Sequence, residues 1–294
     1  MYNFFYYTNN MASFAKQNTN HYIKQATSEQ DFATSGLSED TSFEYLVVAD
    51  THGKKVLNRK ESDHQLKNLF QEMDWKTILQ NETFFEDIQE EIKKINTLKI
   101  GSTLSICKIF ADRFEIYWVG DSTIKIYNNA DEIWRTKDHD NNNEDEKKRL
   151  GWISTFIKQR DGKDVKAVDQ DTIEQFISPV FYFGDIFNPD TINMTHALGH
   201  NQNTGNFISH ETVLRNPDLS YKIVAGSDGF WQLVSTHDTP FIVSIESTSL
   251  QLVEFANKQW KKEWIFVTLD EGTYDGIKFP SYNIDDIAVA CWSN

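Results

Sequence analysis

Apolar positions along the chain follow two periods, and the switches between them mark out the elements. The run Phe43-Glu44-Tyr45-Leu46-Val47-Val48-Ala49-Asp50 is almost continuously hydrophobic and predicts a buried strand that ends on a carboxylate. After it Leu66, Leu69, Phe70 and Met73 recur at helical spacing, as do Phe84, Phe85, Ile88, Ile92 and Ile95, so two amphipathic helices are expected to cover a sheet. From Gly101 the period falls to two. Thr103–Ile109, Phe114–Val119 and Ile124–Tyr127 predict an antiparallel meander, with turns at Ala111-Asp112-Arg113 and Gly120-Asp121-Ser122. Asn141 to Arg149 is polar, Leu150, Trp152 and Ile153 suggest a partly covered helix, and no steady period holds between Gln159 and Pro189. Strand patterns return at Ile223-Val224-Ala225 and Ile265-Phe266-Val267. Between them Leu252, Val253, Phe255, Ala256 and Trp260 predict a helix capped by Ser247, Thr248 or Ser249. A closing strand is expected over Ile287–Trp292, and the order of elements implies an α+β fold with helix-covered sheets.

Length and composition narrow this further. The chain has 294 residues, only five prolines and 13 glycines, and no Pro/Gly/Ser-rich linker. One domain is therefore expected over residues 24–294, with an irregular insertion around 141–190 and an N-terminal extension over 1–23. A formal net charge of −15 leaves no basic excess to neutralise nucleic-acid phosphates, so no nucleic-acid partner is expected. Anionic substrates would need a local positive site, which bound cations can supply in an acidic cleft. Cys107 and Cys291 lie in apolar strand-like runs and read as small buried hydrophobes rather than a disulfide pair. The aromatic start Met1-Tyr2-Asn3-Phe4-Phe5-Tyr6-Tyr7 lacks a basic region and a cleavage site, and is expected to pack on the domain. No apolar run approaches the length of about 20 residues that a membrane span needs. The chain thus reads as soluble and intracellular, with no membrane partner.

Candidate chemistry sits where the predicted strands end. Val47-Val48-Ala49-Asp50-Thr51-His52-Gly53, Ala225-Gly226-Ser227-Asp228-Gly229-Phe230-Trp231 and Asp285-Asp286-Ile287-Ala288-Val289 each put an aspartate at the edge of a hydrophobic strand. Carboxylates gathered at the edge of a buried sheet repel one another unless a hard cation neutralises them. Together they read as a Mg²⁺ or Mn²⁺ site with Asp50, Asp228 and Asp285 as ligands. Taken singly, a strand-end aspartate is more often a turn or a helix cap.

The ordered set resembles the metal-dependent protein phosphatases of the PP2C type, over about residues 24 to 292. Asp50-Thr51-His52-Gly53 is similar to that family's Asp-Gly-His-Gly motif, which implies that Asp50 bridges two metals and that the Thr51 carbonyl is a ligand. Ser28-Glu29-Gln30-Asp31-Phe32 resembles its first acidic motif and implies Asp31 beside the second metal. Gly101-Ser102-Thr103, Val119-Gly120-Asp121-Ser122, the Ser-Asp-Gly at residues 227–229 and Asn283-Ile284-Asp285-Asp286 resemble further family motifs, the last implying Asp285 as a ligand. Thr136-Lys137-Asp138-His139 is similar to a stretch whose aspartate, here Asp138, contributes to a third metal position in some members. Thr195-His196-Ala197-Leu198-Gly199-His200 resembles Ser-Arg-Ala-Leu-Gly-Asp with histidines in place of the arginine and the aspartate. Ala26 stands where many relatives carry a phosphate-contacting arginine, and Lys24 is a nearby cation.

The resemblance implies a four-layer α-β-β-α sandwich with two central antiparallel sheets. It also implies hydrolysis of phosphoserine or phosphothreonine on a protein substrate by a water activated on two Mn²⁺ or Mg²⁺ ions. His52 is the candidate general acid, since imidazole can donate a proton near neutral pH; a structural hydrogen bond beside the metal turn is its plainer role. Asp121 is expected to brace its turn. His196 and His200 lack the cysteine pair or His-Glu-x-x-His pattern of a zinc site. Two other functions stay open: a silent PP2C-like domain that binds phosphoproteins, for which Ala26 and His196 speak, and hydrolysis of a small phosphorylated metabolite.

Overall fold

The computed structural model describes residues 18–26, 28–53, 64–95, 100–140, 143–149, 181–185, 188–192, 194–200, 208–234, 238–244, 246–268, 272–281 and 284–294. Two strands that the periodicity does not announce come first, β1 (Thr19–Lys24) and β2 (Asp31–Leu37), followed by the expected β3 (Glu44–Gly53). The helices α1 (Gln65–Glu72), α2 (Trp75–Ile78) and α3 (Phe84–Lys93) lead to β4 (Ile100–Ser102), β5 (Leu104–Ile109), β6 (Arg113–Val119), β7 (Thr123–Asn128) and β8 (Asp131–Arg135). Next come α4 (Glu144–Arg149), the hairpin β9 (Phe181–Asp185) and β10 (Asn188–Ile192), then β11 (Leu198–Gly199), β12 (Ser209–Leu214) and β13 (Tyr221–Gly226). The chain continues through α5 (Asp228–Trp231), α6 (Thr239–Ile242), α7 (Ser249–Trp260), a second hairpin of β14 (Glu263–Thr268) and β15 (Gly272–Lys278), and β16 (Ile287–Ser293). The helix expected at Leu150–Ile153, most of the 141–190 insertion and the aromatic N-terminus fall outside the described residues. No described helix is long and apolar enough to cross a membrane.

Two antiparallel sheets form the centre. One runs β1-β16-β13-β7-β8; the other runs β11-β4-β3-β5-β6-β12, with β2 also paired to β3. β1 thus joins the sheet ahead of residue 24, with Thr19 opposite Trp292 and Lys24 opposite Ile287. Leu46, Val48, Cys107, Ile116 and Trp118 of one sheet meet Ile124, Ile126, Ile223, Ala225, Ala290 and Trp292 of the other in an apolar inter-sheet core. The opposite face of the first sheet carries Val47, Ala49, Leu104 and Ile106, which pack on Leu66, Phe70, Phe84, Ile88 and Ile92 of α1 and α3. Outside the second sheet, Tyr127, Val224, Val289 and Cys291 pack on Leu252, Val253, Ala256 and Trp260 of α7. The result is the expected four-layer α-β-β-α order, an α+β fold. Thr248 caps α7 through a reciprocal bond with Gln251, so the middle one of the three candidate caps is used. Cys107 and Cys291 are both buried free thiols, one in each sheet.

One expected strand begins a residue later than its pattern suggests, and in a useful place. Thr103, read as the start of a strand, separates β4 from β5, and its hydroxyl accepts from the Asp50 amide at 2.8 Å while its own amide donates to the Asp50 carbonyl at 2.9 Å. The Ser102 hydroxyl also donates to that carbonyl, at 3.1 Å. The Gly101-Ser102-Thr103 stretch therefore fixes the backbone that carries Asp50.

Candidate metal centre

The inter-sheet core opens at one end onto carboxylates, because four strand ends meet there. Asp31 begins β2 directly opposite Asp50 near the end of β3. In the second sheet Asp228 follows β13, and Asp285 and Asp286 precede β16. The two sheets are tied at this point: Ser227 donates from Oγ to Asp31 at 2.7 Å, from its amide to the Ala288 carbonyl at 3.1 Å, and accepts from the Ala288 amide at 3.1 Å. Gly229 can have no side chain, since a Cβ there would lie 1.9 Å from the Asp286 carbonyl oxygen. That contact explains the glycine after Asp228 and holds α5 against the segment bearing Asp285.

The carboxylates act on each other. Burial, with the charges of Asp286 and Asp228, raises Asp31 to about 8 despite the Ser227 hydroxyl. Burial, then Asp31, Asp228, Asp285 and Asp121, raises Asp50 far above the usual range. Asp285 is raised by burial and by Asp228 and Asp31, and Asp228 chiefly by burial. Asp31, Asp50, Asp228 and Asp285 therefore form one electrostatically linked group across the two sheets. Asp121, expected only to brace its turn, also belongs to this arc: burial and the charges of Asp228, Asp138 and Asp140 raise it.

Among the described residues, no group of three or more His, Cys, Asp and Glu side chains is set as it stands to hold a metal ion. The donor set nevertheless suits a hard divalent cation. It is all oxygen, it carries several negative charges when ionised, and a cation there would remove the mutual repulsion. Asp31, Asp50, Asp228 and Asp285 are the residues that would hold it. The Thr51 carbonyl is in the same stretch of β3, and Thr51 is not among the residues with positive φ, so threonine causes no backbone strain there. Its hydroxyl donates to the Gln30 carbonyl at 2.7 Å.

Asp138 is placed differently. Its two oxygens accept from the Thr123 hydroxyl at 2.6 Å and the Thr136 hydroxyl at 2.8 Å, and burial raises it to about 7. His139 beside it bonds both to the Gly120 backbone and to the Ser209 hydroxyl, which locks the Gly-Asp-Ser turn. Gly120 has φ +89° there and would drive a Cβ into Thr103.

Two further residues were not assigned a role from the sequence. Asp286, buried beside Asp285, accepts from the Ala26 amide, from Ser28 Oγ at 2.9 Å and from the Gln30 amide at 2.7 Å, so it clamps the loop that leads into Asp31. Lys67 on α1 donates to the Glu29 carbonyl at 2.6 Å, and its charge is felt by Asp286, Glu29 and Asp31. Only the fold could distinguish Asp286 from its neighbour or bring Lys67 to this loop.

His52 is half-buried at the end of β3 with its Nε2 2.7 Å from Nε2 of His200. Burial, then the His200 charge, lowers its pKa to about 3. His196 packs instead against His139, with ring centroids 5.2 Å apart. The two histidines that share a four-residue spacing therefore have separate neighbours, since Leu198–Gly199 is strand and not helix.

The comparisons agree with this architecture. A family model described as protein phosphatase 2C matches residues 9–263. A serine-threonine phosphatase 2C from Toxoplasma gondii superposes with a TM-score of 0.61 at 13% identity, covering 96% of each chain. A serine/threonine phosphatase from S. agalactiae gives 0.56 at 16% identity over 94% of this chain and 98% of the other. A C. elegans sex determining protein gives 0.58 at 13% identity, and there 95% of this chain spans 65% of the other. No curated protein sequence matched.

Proposed function

Because this chain belongs to the protein phosphatase 2C family, we propose that it hydrolyses phosphoserine and phosphothreonine esters on proteins, with Mn²⁺ or Mg²⁺ held at the strand-end carboxylates. The observation that carries this reading is the set Asp31, Asp50, Asp228 and Asp285, drawn from both sheets, each with its pKa raised by burial and most of them by one another as well. Such crowding costs stability unless a cation relieves it, and it does nothing for the fold that apolar residues would not do better. Two ions, when bound there, supply charge neutralisation for the phosphoryl oxygens and an activated water as nucleophile. Asp138, whose oxygens accept from the Thr123 and Thr136 hydroxyls, stands outside this set.

The chain's own groups have distinct tasks in this proposal. Asp50 has its backbone fixed by Ser102 and Thr103, so its carboxyl is aimed from a rigid base. Asp286 and Lys67 hold the loop over Ala26–Gln30 in place, and the Lys67 ammonium offers at the cleft a positive charge that Ala26 cannot. His52 gives its proton to the departing serine or threonine alkoxide once the anionic phosphate of the substrate, bound beside it, raises its pKa from the low value that burial sets.

Phosphate release from a phosphothreonine peptide, measured with Mn²⁺, with Mg²⁺ and with chelator, tests the reading. Metal-stimulated release is expected. A second reading, a silent phosphoprotein-binding domain, draws on Ala26 and His196. Tight Mn²⁺ binding by calorimetry with no turnover on peptide or p-nitrophenyl phosphate would favour it.

A further inference from the structure

His52 and His200 come together through the sheet. On one side of β4, Gly101 is directly opposite His52 of β3; on the other side it is opposite Gly199 of β11, the residue before His200. Gly101 thus lies between the two histidine-bearing segments, and the rings meet over it. A Cβ on Gly101 would lie 2.6 Å from Nε2 of His52 and 2.2 Å from Nε2 of His200, so only glycine leaves room for the contact. The rings are stacked at 27° with centroids 4.9 Å apart. His200 reaches this position through two successive left-handed residues, Gly199 at φ +82° and His200 itself at φ +48°. A histidine in that conformation is strained and persists when its surroundings impose it.

The separation decides what the contact is. Two imidazole nitrogens on one tetrahedral zinc would stand ~3.3 Å apart, given metal–nitrogen distances of about 2.0–2.1 Å. The observed 2.7 Å is a hydrogen-bonding distance. A bond between two ring nitrogens needs one N–H and one lone pair, so the neutral rings take complementary tautomers, one protonated on Nε2 and the other on Nδ1. Nδ1 of His52 is buried with no hydrogen-bond partner among the described residues. It is the ring nitrogen left for a reactant or water.

We infer that His200 is a positioning residue for His52: neutral His200, protonated on Nδ1, accepts at its Nε2 from the His52 Nε2–H, which fixes the ring plane, so that in the step itself protonated His52 gives its Nδ1 proton to the leaving group and returns to the neutral Nε2–H form. This rests on the reading of His52 as general acid. It places a task on the histidine that ends Thr195–His200, where the family pattern has aspartate.

The test uses two variants of the full chain in Mg²⁺. His200→Asn tolerates the left-handed backbone but is too short to reach His52. His200→Gln extends an amide to about the position of Nε2. Imidazole ¹⁵N shifts of His52 read the bond without reference to activity, and kcat and KM on a phosphothreonine peptide and on p-nitrophenyl phosphate read the role. In the parent, complementary fixed tautomers are expected. His200→Asn should average the His52 shifts and lower kcat on the peptide about tenfold, with a much smaller loss on p-nitrophenyl phosphate and an unchanged KM; His200→Gln should recover part of both. Unchanged His52 shifts in His200→Asn would overturn the bond. Equal losses on the two substrates would overturn the positioning role and reduce His200 to a structural contact. A parent with paired tautomers and no metal-dependent turnover would overturn the phosphatase reading, and the catalytic role with it, while leaving the bonded pair in place.

Discussion

Asp31 and Asp138 are both pushed upward by burial, yet their surroundings differ. Around Asp138, each oxygen accepts from a threonine hydroxyl, and the Lys125 charge offsets part of its burial. Around Asp31, one hydroxyl from Ser227 is set against the charges of Asp286 and Asp228. The first arrangement satisfies a carboxylate with donors and knits β7 to the segment after β8. The second gathers several carboxylates that raise one another's pKa, and such a gathering of negative charge is what a cation site offers. Proximity to the acidic arc is therefore a poorer guide to a ligand than the kind of neighbour each carboxylate has.

Removing one charge from the unsatisfied region should produce the largest effect. Asp228→Asn keeps the shape and an acceptor for the Gly229 amide, yet loses the anion that a hard cation prefers. Mn²⁺ affinity by calorimetry should fall about 100-fold, with a comparable loss of phosphatase activity. A folded Asp228→Asn protein with unchanged affinity would remove Asp228 from the site and blunt the contrast with Asp138.

His52 lies beside the carboxylates without being one of them, so its replacement should separate proton transfer from metal binding. His52→Gln is expected to retain Mn²⁺ affinity and to lower turnover of a phosphothreonine peptide about 100-fold. p-Nitrophenyl phosphate should suffer far less, since its leaving group needs no proton. Equal losses would withdraw the general-acid role.

Metal removal sharpens the comparison through pH. A carboxyl raised in the folded state stabilises that state while protonated, fully below its ordinary pKa, and the contribution is lost as pH rises through the folded value. For Asp31 the window runs from 3.8 to about 8, and for Asp138 from 3.8 to about 7. In chelator, the melting temperature should fall between pH 5 and pH 8. Saturating Mg²⁺ should reverse the part due to Asp31, because ionised carboxylates are the ligand form, and should leave the part due to Asp138. A melting temperature that rises with pH in chelator would contradict the assignment.

The sequence made some of this legible and hid the rest for identifiable reasons. β3, α1, α3, α7 and β16 are readable because each puts a long apolar stripe or run against a core, as with Leu66, Phe70, Ile88 and Ile92. β1 and β2 are not. β1 buries Thr19 and turns His21 outward, and β2 carries Gly36 where a Cβ would lie 2.8 Å from the Tyr45 hydroxyl, so small residues replace the expected large ones. β12 is an edge strand with mostly exposed side chains and no alternation to detect. Asp50 and Asp228 are readable from the strands they end. The clamp by Asp286, the approach of Lys67 and the meeting of His52 with His200 depend on register between distant strands, which local pattern does not encode.

The smallest expected effect tests the satisfied side of the comparison. In Asp138→Asn the new side chain offers one acceptor oxygen and one amide donor, so one of the two threonine hydroxyls must turn away or lose its bond. The loss should be about 1 kcal/mol of stability, the net worth of one hydrogen bond, with no group left unable to find a partner because a hydroxyl can rotate to accept from the amide. Burial opposes the Asp138 charge, so a neutral replacement also sheds a desolvation cost and offsets part of that loss above pH 7. Mn²⁺ affinity at the strand ends should change less than about tenfold, well below the effect at Asp228. Thermal unfolding and Mn²⁺ calorimetry on the same preparation separate the two quantities. A fall in Mn²⁺ affinity as large as that of Asp228→Asn would mean that Asp138 gives up its hydroxyl partners to a cation, and that satisfied and unsatisfied carboxylates here form one site.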